Sequence, residues 1–326
     1  MKPPDAPGTT PSAPDPAPVI PEHTLLRVIG RGSSGRVWLA QSTLGTYRAV
    51  KVIPAVAQAR FGGYEREVSG ILKFEPLSRQ HDGLVDILQV GFDAERQFFY
   101  YVMELADDVV LGQQIQPKTY LPQTLAQYRQ KWHRLPVEEC IRLSGAIASA
   151  LSFLHKHGLT HRDIKPSNII FVGGIPKLAD IGLVADLAAP KARVGTEGFF
   201  PPEGSGSVRA DIYALGKVLY ELSTGNDRQA YPDIPADLMN QIGRSDFIQL
   251  NKIILKACRS RPWERYQSAD QMLMALLNFQ FATTALQRAR RLNQFARLAG
   301  MVGVIIGLGV VGGLVWRLID LLWPAP

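Results

Sequence analysis

The stretch His161-Arg162-Asp163-Ile164-Lys165-Pro166-Ser167-Asn168, with Asp180-Ile181-Gly182 starting twelve residues beyond it, constrains this chain more than any other. Acidic, amide and ammonium groups of the kind that chemistry at a phosphate needs sit there at fixed offsets. Asp163 can accept a proton from an attacking hydroxyl. Asn168 and Asp180 bring oxygen donors suited to magnesium. Lys165 can neutralise a transferred phosphoryl group. Ile169-Ile170-Phe171 and Lys177-Leu178-Ala179 read as short strands around Gly173-Gly174. Such a hairpin carries Asp180 back to the loop that it left.

Upstream, Ile29-Gly30-Arg31-Gly32-Ser33-Ser34-Gly35-Arg36-Val37 holds a G-x-G-x-x-G pattern. By itself this pattern could equally open a dinucleotide-binding helix. The residues after it decide against that: Arg36 to Ala40 is strand-like, a turn falls near Gly45, and Tyr47 to Ile53 is strand-like again, with no helix after the third glycine. The glycines then lie in a hairpin, where backbone amides can approach phosphate oxygens with no side chain between. Lys51 comes sixteen residues after Gly35 and is flanked by apolar residues, which favours an inward ammonium. Such an ammonium needs an anionic partner. The helix-like pattern of residues 59–75 supplies Glu67, ahead of Ile71 and Leu72, and Glu65 as the alternative. Leu84–Leu88 and Phe98–Val102 read as strands around a turn at 93–95.

Downstream, residues 109–134 are longer than a tight connection needs, and Gln113 to Pro122 reads as a polar loop insertion ahead of a helix near Leu125–Trp132. A second helix is expected from about Val137 to His157, with Ile141, Ile147, Leu151 and Leu154 on its apolar face. Further on come Gly195-Thr196-Glu197, Pro201-Pro202-Glu203, Asp211-Ile212-Tyr213-Ala214-Leu215-Gly216 and Arg261-Pro262-Trp263-Glu264-Arg265-Tyr266.

Taken in order over about residues 24–280, these seven motifs resemble the eukaryotic-type serine/threonine protein kinases of bacteria. The resemblance implies an α+β, two-lobed protein-kinase fold: a β-rich small lobe at about 22–105 and a mainly helical large lobe at about 106–282. It implies ATP and Mg2+ as cofactors. The catalytic set would be Asp163, Lys165, Lys51 and Glu67, with Asn168 and Asp180 on the metal. The nucleotide would meet Ile29, Gly30, Arg31, Gly32, Ser33, Ser34, Gly35, Arg36 and Val37 in the glycine loop. Behind these it would meet Ala49, Lys51 and Met103, with the backbones of Glu104 and Leu105 at the adenine edge. Asp107 or Asp108 would reach a ribose hydroxyl or stand in a solvated acidic turn. His161 would fix the loop geometry, Thr196 would face Asp163 and Lys165, Asp211 would tie down the loop backbone, and Arg265 would pair with Glu203. Two positions depart from the usual pattern: Ile181 stands for phenylalanine, and Pro201 for the alanine before Pro202-Glu203. Arg162 marks the class whose activation segment is positioned by an anion. No serine, threonine or tyrosine lies between Asp180 and Gly195, so Arg162 either takes another anion, with Asp186 the candidate, or stays unpaired, and the loop is expected to order without phosphorylation.

The two ends read differently. Residues 1–21 are proline-rich with few large apolar groups, a composition that cannot offset its ordering entropy and is expected to be disordered or polyproline-like. Residues 298–316 carry no charge, and at about 1.5 Å per residue they span roughly 28 Å, close to a hydrocarbon core. Six glycines there would make a poor soluble helix. A transmembrane helix is therefore expected over 298–318, after a basic juxtamembrane segment at 283–297 holding Arg288, Arg290, Arg291 and Arg297. That places the protein in the inner or plasma membrane with its kinase domain cytoplasmic. Gly303-x-x-x-Gly307 and Gly309-x-x-x-Gly313 either form a homodimer interface or reflect membrane composition. The net charge of +7 fits an anionic surface, and no basic-aromatic platform for nucleic acid is present. Cys140 and Cys258 lie in apolar helical patterns and read as buried reduced thiols.

Three function classes are open: an active membrane-tethered kinase acting on protein substrates, a pseudokinase scaffold, and a small-molecule kinase on a related fold. The complete set Lys51, Glu67, Asp163, Asn168 and Asp180 favours the first over the second. The segment Gly195 to Glu203, which looks built for a peptide, disfavours the third.

Overall fold

Apolar stretches, continuous in the central strands, assemble five strands: β1 (His23–Arg31), β2 (Arg36–Ser42), β3 (Tyr47–Pro54), β4 (Ile87–Asp93) and β5 (Phe98–Met103). They form one antiparallel sheet in the order β1-β2-β3-β5-β4. The computed structural model describes residues 17–32, 35–55, 63–187, 195–240, 245–279 and 312–313. Side-chain alternation gives the sheet two faces. Val50, Val52, Tyr100 and Val102 share one, in a cluster with Ile20, Ala40 and Phe98. Ala49, Lys51, Tyr101 and Met103 share the other, with Lys51 opposite Tyr101 and Ala49 opposite Met103. Ile20 is buried and pairs with the His23 backbone, so the folded unit begins ahead of residue 22. The rest of the segment expected to be disordered, residues 1–16, lies outside the described residues.

Helix α1 (Gly63–Ser78) packs against a 3-10 turn at Ile181–Leu183. The approach is close because position 70 is glycine: a Cβ there would overlap the Val184 carbonyl. Of the strand expected over 84–88, only Ile87 and Leu88 are in one, as the start of β4. Leu84, Val85 and Ile87 are fully buried, but Leu84 makes only an isolated bridge to Leu178, and β4 starts at Ile87 with a bulge before Gln89. The apolar run ahead of Ile87 is a buried crossing rather than a sheet strand.

Helices α2 (Leu125–Trp132), α3 (Val137–Lys156), α4 (Val208–Thr224), α5 (Ala236–Asn240) and α6 (Ser245–Ala257) make up the second lobe. Thr124 and Ser207 cap α2 and α4, each accepting a bond from a backbone N–H in the first turn. Ile141, Ile147, Leu151 and Leu154 of α3 are buried, and α3, α4 and α6 pack together as the core. Two short strand pairs complete the layout: β6 (Leu159–Thr160) with β9 (Ala185–Asp186), and the hairpin of β7 (Ile169–Val172) and β8 (Ile175–Leu178). Both cysteines are buried and free, and burial pushes the Cys258 thiol up to about 12, which keeps it protonated and unreactive.

The chain divides into two units, 1–274 and 275–326. The second is described only at 275–279 and 312–313, where it is helical. Among the described residues no helix is long and apolar enough to cross a membrane. The expected span over 298–318 and the basic segment before it lie outside those residues, apart from Gly312 and Gly313.

Candidate active site

Lys51 is buried on β3 and its ammonium touches two carboxylates: Glu67 Oε1 at 2.8 Å and Asp180 Oδ1 at 2.7 Å. Glu67 reaches it from α1, whereas Glu65, two positions earlier on the same helix, is exposed. The Glu67 carboxylate fits because residue 182 is glycine; a Cβ there would stand 2.6 Å from Oε1. Burial works against the charge on Lys51. Tyr101, Asp180 and Glu67 around it more than reverse that, and hold its pKa well above the ordinary lysine value. Burial likewise raises Asp180, yet Lys51, with Lys165 and His161 beyond, leaves its carboxyl below the usual carboxylate range. Asp180 has left-handed backbone, φ 52° and ψ 62°, and this turns the chain as it leaves β8.

The Asp163 carboxylate is surrounded by donors. Oδ2 accepts from Lys165 Nζ at 2.8 Å and Asn168 Nδ2 at 2.9 Å, and Oδ1 accepts from the Thr196 amide at 3.0 Å and hydroxyl at 2.9 Å. Lys165 Nζ also donates to the Thr196 hydroxyl at 2.8 Å. The backbone around Asp163 is fixed from below. Asp211 at the start of α4 accepts from the His161 and Arg162 amides at 2.8 and 2.9 Å, and from His155 Nε2 at 3.0 Å. His161 is fully buried; its Nε2 donates to Ala179 O at 3.2 Å and its Nδ1 accepts from the Asp163 amide at 3.4 Å. One ring thus ties the Asp163 loop to the residue before Asp180. At the far end of this lobe Arg265, fully buried, forks onto Glu203 at 2.6 and 3.0 Å.

A cavity of about 850 Å³ collects these groups. Ile29, Gly30, Arg31, Gly32 and Val37 line it above, Ala49, Lys51, Met103, Glu104 and Leu105 behind, and Asp163, Lys165, Asn168 and Asp180 below. Gly35 and Arg36 are not among its lining. Val37 points inward, and strand alternation turns Arg36 outward, where it is exposed. Ser33 and Ser34 lie outside the described residues.

Three residues whose roles the sequence left open are placed by the structure. Asp107 does not point to a sugar site: its carboxylate accepts the Gly173 and Gly174 amides at 2.9 and 2.8 Å and closes the β7–β8 turn. Asp108 is buried and accepts three amides, from Val110, Leu111 and Leu121, so it organises the insertion. Arg162 meets the backbone carbonyl of Asp186 at 3.3 Å, while the Asp186 carboxylate pairs with Lys73 of α1. Sequence reasoning also missed cavity-lining residues, chiefly Tyr101, Tyr120, Pro122 and Thr124. For Tyr101 the signal was available, two residues before Met103 on an inward-facing strand. For the others it was not, because their position depends on how the insertion folds back.

Comparison with known proteins places the same span. The protein kinase domain family matches residues 23–289. A probable serine/threonine-protein kinase of Clostridium acetobutylicum is 29% identical over 276 residues, covering 77% of this chain and 38% of that protein. Serine/threonine-protein kinase PrkC of Bacillus subtilis is 27% identical over 289 residues, 77% of this chain and 39% of its own length. Serine/threonine-protein kinase PknB of Mycobacterium tuberculosis is 29% identical over 283 residues, with 77% and 41% covered. The chain therefore spans about two fifths of the length of these relatives.

Proposed function

The chain belongs to the protein kinase domain family, and from that membership together with the site we infer that it is an ATP-dependent serine/threonine protein kinase. The observation that carries this is the meeting of Lys51, Glu67, Asp163, Lys165, Asn168 and Asp180 at one nucleotide-sized cavity. Ile29, Val37, Ala49 and Met103 supply apolar walls for adenine. The Glu104 amide donates to Asp86 O at 3.2 Å, so the connection offers the base the Glu104 carbonyl and the Leu105 amide. Lys51, held by Glu67, would bind the α- and β-phosphates of the nucleotide.

The donor set fits magnesium. Both bonds of the Asn168 amide nitrogen go to Asp163, and its oxygen, which accepts only a long bond from the Ser167 hydroxyl at 3.4 Å, would be one metal ligand, with the ionised Asp180 carboxylate as a second hard oxygen. When bound, magnesium neutralises the phosphate oxygens. Asp163 orients the protein hydroxyl and takes its proton as that oxygen bonds to the γ-phosphorus and the bond to the β–γ bridging oxygen breaks, releasing ADP. Lys165 offsets the charge that develops. Lys165-Pro166-Ser167-Asn168 supports serine and threonine as acceptors.

The finer reading adds a single span at 298–318, the kinase domain on the cytoplasmic face of the plasma membrane, and self-association through Gly303 and Gly307. It is supported by the uncharged run of 298–316 and the arginines before it. Protein substrates and the bilayer are then the partners.

Transfer of labelled phosphate from ATP to a generic basic protein tests the activity. Asp180→Ala should lower magnesium-dependent transfer by about 100-fold or more with an unchanged circular dichroism spectrum. Wild-type turnover in this variant would overturn the reading.

A further inference from the structure

The insertion after Met103–Leu105 has no part in the chemistry above, yet it is among the most tightly tied segments of the chain. Asp108 anchors both of its ends: Oδ1 takes the Val110 and Leu111 amides and Oδ2 takes the Leu121 amide at 2.8 Å. Backbone bonds between Asp108 and Gly112, and between Leu121 O and the Val109 amide, close the same loop. Tyr120 is buried, donates its hydroxyl to Ala106 O at 3.0 Å, and lines the nucleotide cavity beside Pro122. The far side of the loop is held by the opposite lobe. Arg27 of β1 donates through Nε to Pro117 O at 2.7 Å and through Nη2 to Tyr120 O. Arg27 lies two residues before Ile29, where β1 begins to roof the cavity.

From this arrangement we propose that residues 109–122 are a strap closing the nucleotide cavity beside the interlobe connection, with Arg27 as its clasp and Tyr120 as the wall it presents to the nucleotide. The proposal rests on the nucleotide-binding reading above. For the roof strand to lift away from the large lobe, the two Arg27 bonds must break, so the clasp sets how fast nucleotide leaves and does not touch the reacting atoms. A planar guanidinium donating two bonds to two carbonyls is a geometry that a lysine ammonium does not reproduce.

The test is dissociation of ADP and of the non-hydrolysable β,γ-imido analogue of ATP, both with magnesium, from immobilised protein. Arg27→Ala should release both nucleotides about tenfold faster and raise the KM for ATP, with kcat unchanged or increased. Arg27→Lys should behave like Arg27→Ala. Tyr120→Phe, which loses only the bond to Ala106 O, should shift release in the same direction by a smaller factor. Unchanged release from Arg27→Ala would overturn the strap, as would a wild-type rate from Arg27→Lys beside a fast Arg27→Ala, since charge alone would then be the cause. If wild-type protein binds neither nucleotide, the failure lies with the nucleotide-binding reading and not with the strap.

Discussion

Asp163→Asn should lower phosphoryl transfer by orders of magnitude and leave nucleotide binding intact. The carboxylate accepts four hydrogen bonds, from Lys165, Asn168 and both donors of Thr196. An amide of the same shape presents an NH2 group to part of that ring of donors and can no longer take up a proton. Loss of a positioned general base costs 10²- to 10⁴-fold, so kcat should fall by about 10³. Asp163 lines the cavity beside Lys165 and Asn168, and the apolar walls proposed for adenine are made by other residues, Ala49 and Met103 among them. ATP affinity measured by calorimetry should accordingly change by less than about threefold, a factor worth under 1 kcal/mol. Turnover within tenfold of wild type would remove Asp163 from the mechanism.

Arg265→Ala should be the most destabilising single change at any distance from the cavity. The guanidinium is fully buried and gives five bonds: two to Glu203, and one each to the carbonyls of Arg259, Ser260 and Arg209. Removing one partner of a buried ion pair strands the other and costs about 3–5 kcal/mol. Against a typical stability of about 5–15 kcal/mol, much of the protein would unfold at moderate temperature. The check is the urea midpoint. Glu203→Ala alone should lower it also, and the double variant should lose less than the two single losses added together. Additive losses would mean that the two residues act separately.

Much of this site was legible because its chemistry is written locally. His161 to Asn168 is one octapeptide, and Asp180 is carried back by a hairpin whose glycines mark the turn. The choice between Glu65 and Glu67 depended on which face of α1 meets β3, and the structure puts Glu67 on it. Helix α2 was visible from the polar, proline-punctuated loop before it, and α3 from the periodicity of its apolar face. The misreadings have one source. Leu84 to Leu88 has the composition of a strand, but burial by packing and burial by sheet pairing leave the same apolar signature. Asp107 and Asp108 read equally as ribose ligands or as a solvated acidic turn, since nothing local tells that Gly173, Gly174 and Leu121 will bring amides to them. The insertion was opaque for the same reason: Arg27 finds it from ninety residues away. Asp186 was singled out as an anion for Arg162, but it supplies its carbonyl there and gives its carboxylate to Lys73.

The buried crossing at 83–85 has a consequence for how the molecule breathes. By chain order it belongs with the sheet, between α1 and β4. By hydrogen bonding it belongs to the helical lobe: the Leu178 amide donates to Gly83 O at 2.8 Å, and the Val85 amide to Leu178 O at 3.0 Å. Partial opening tends to occur in contiguous cooperative units. A fluctuation that unzips the sheet therefore leaves Gly83 to Val85 clamped, and the boundary between the two cooperative units falls inside the covalent small lobe, just before β4. In native-state hydrogen exchange, the Val85 and Leu178 amides should exchange together and slowly, with the helices, while those of Val90 and Phe92 exchange earlier, with the sheet.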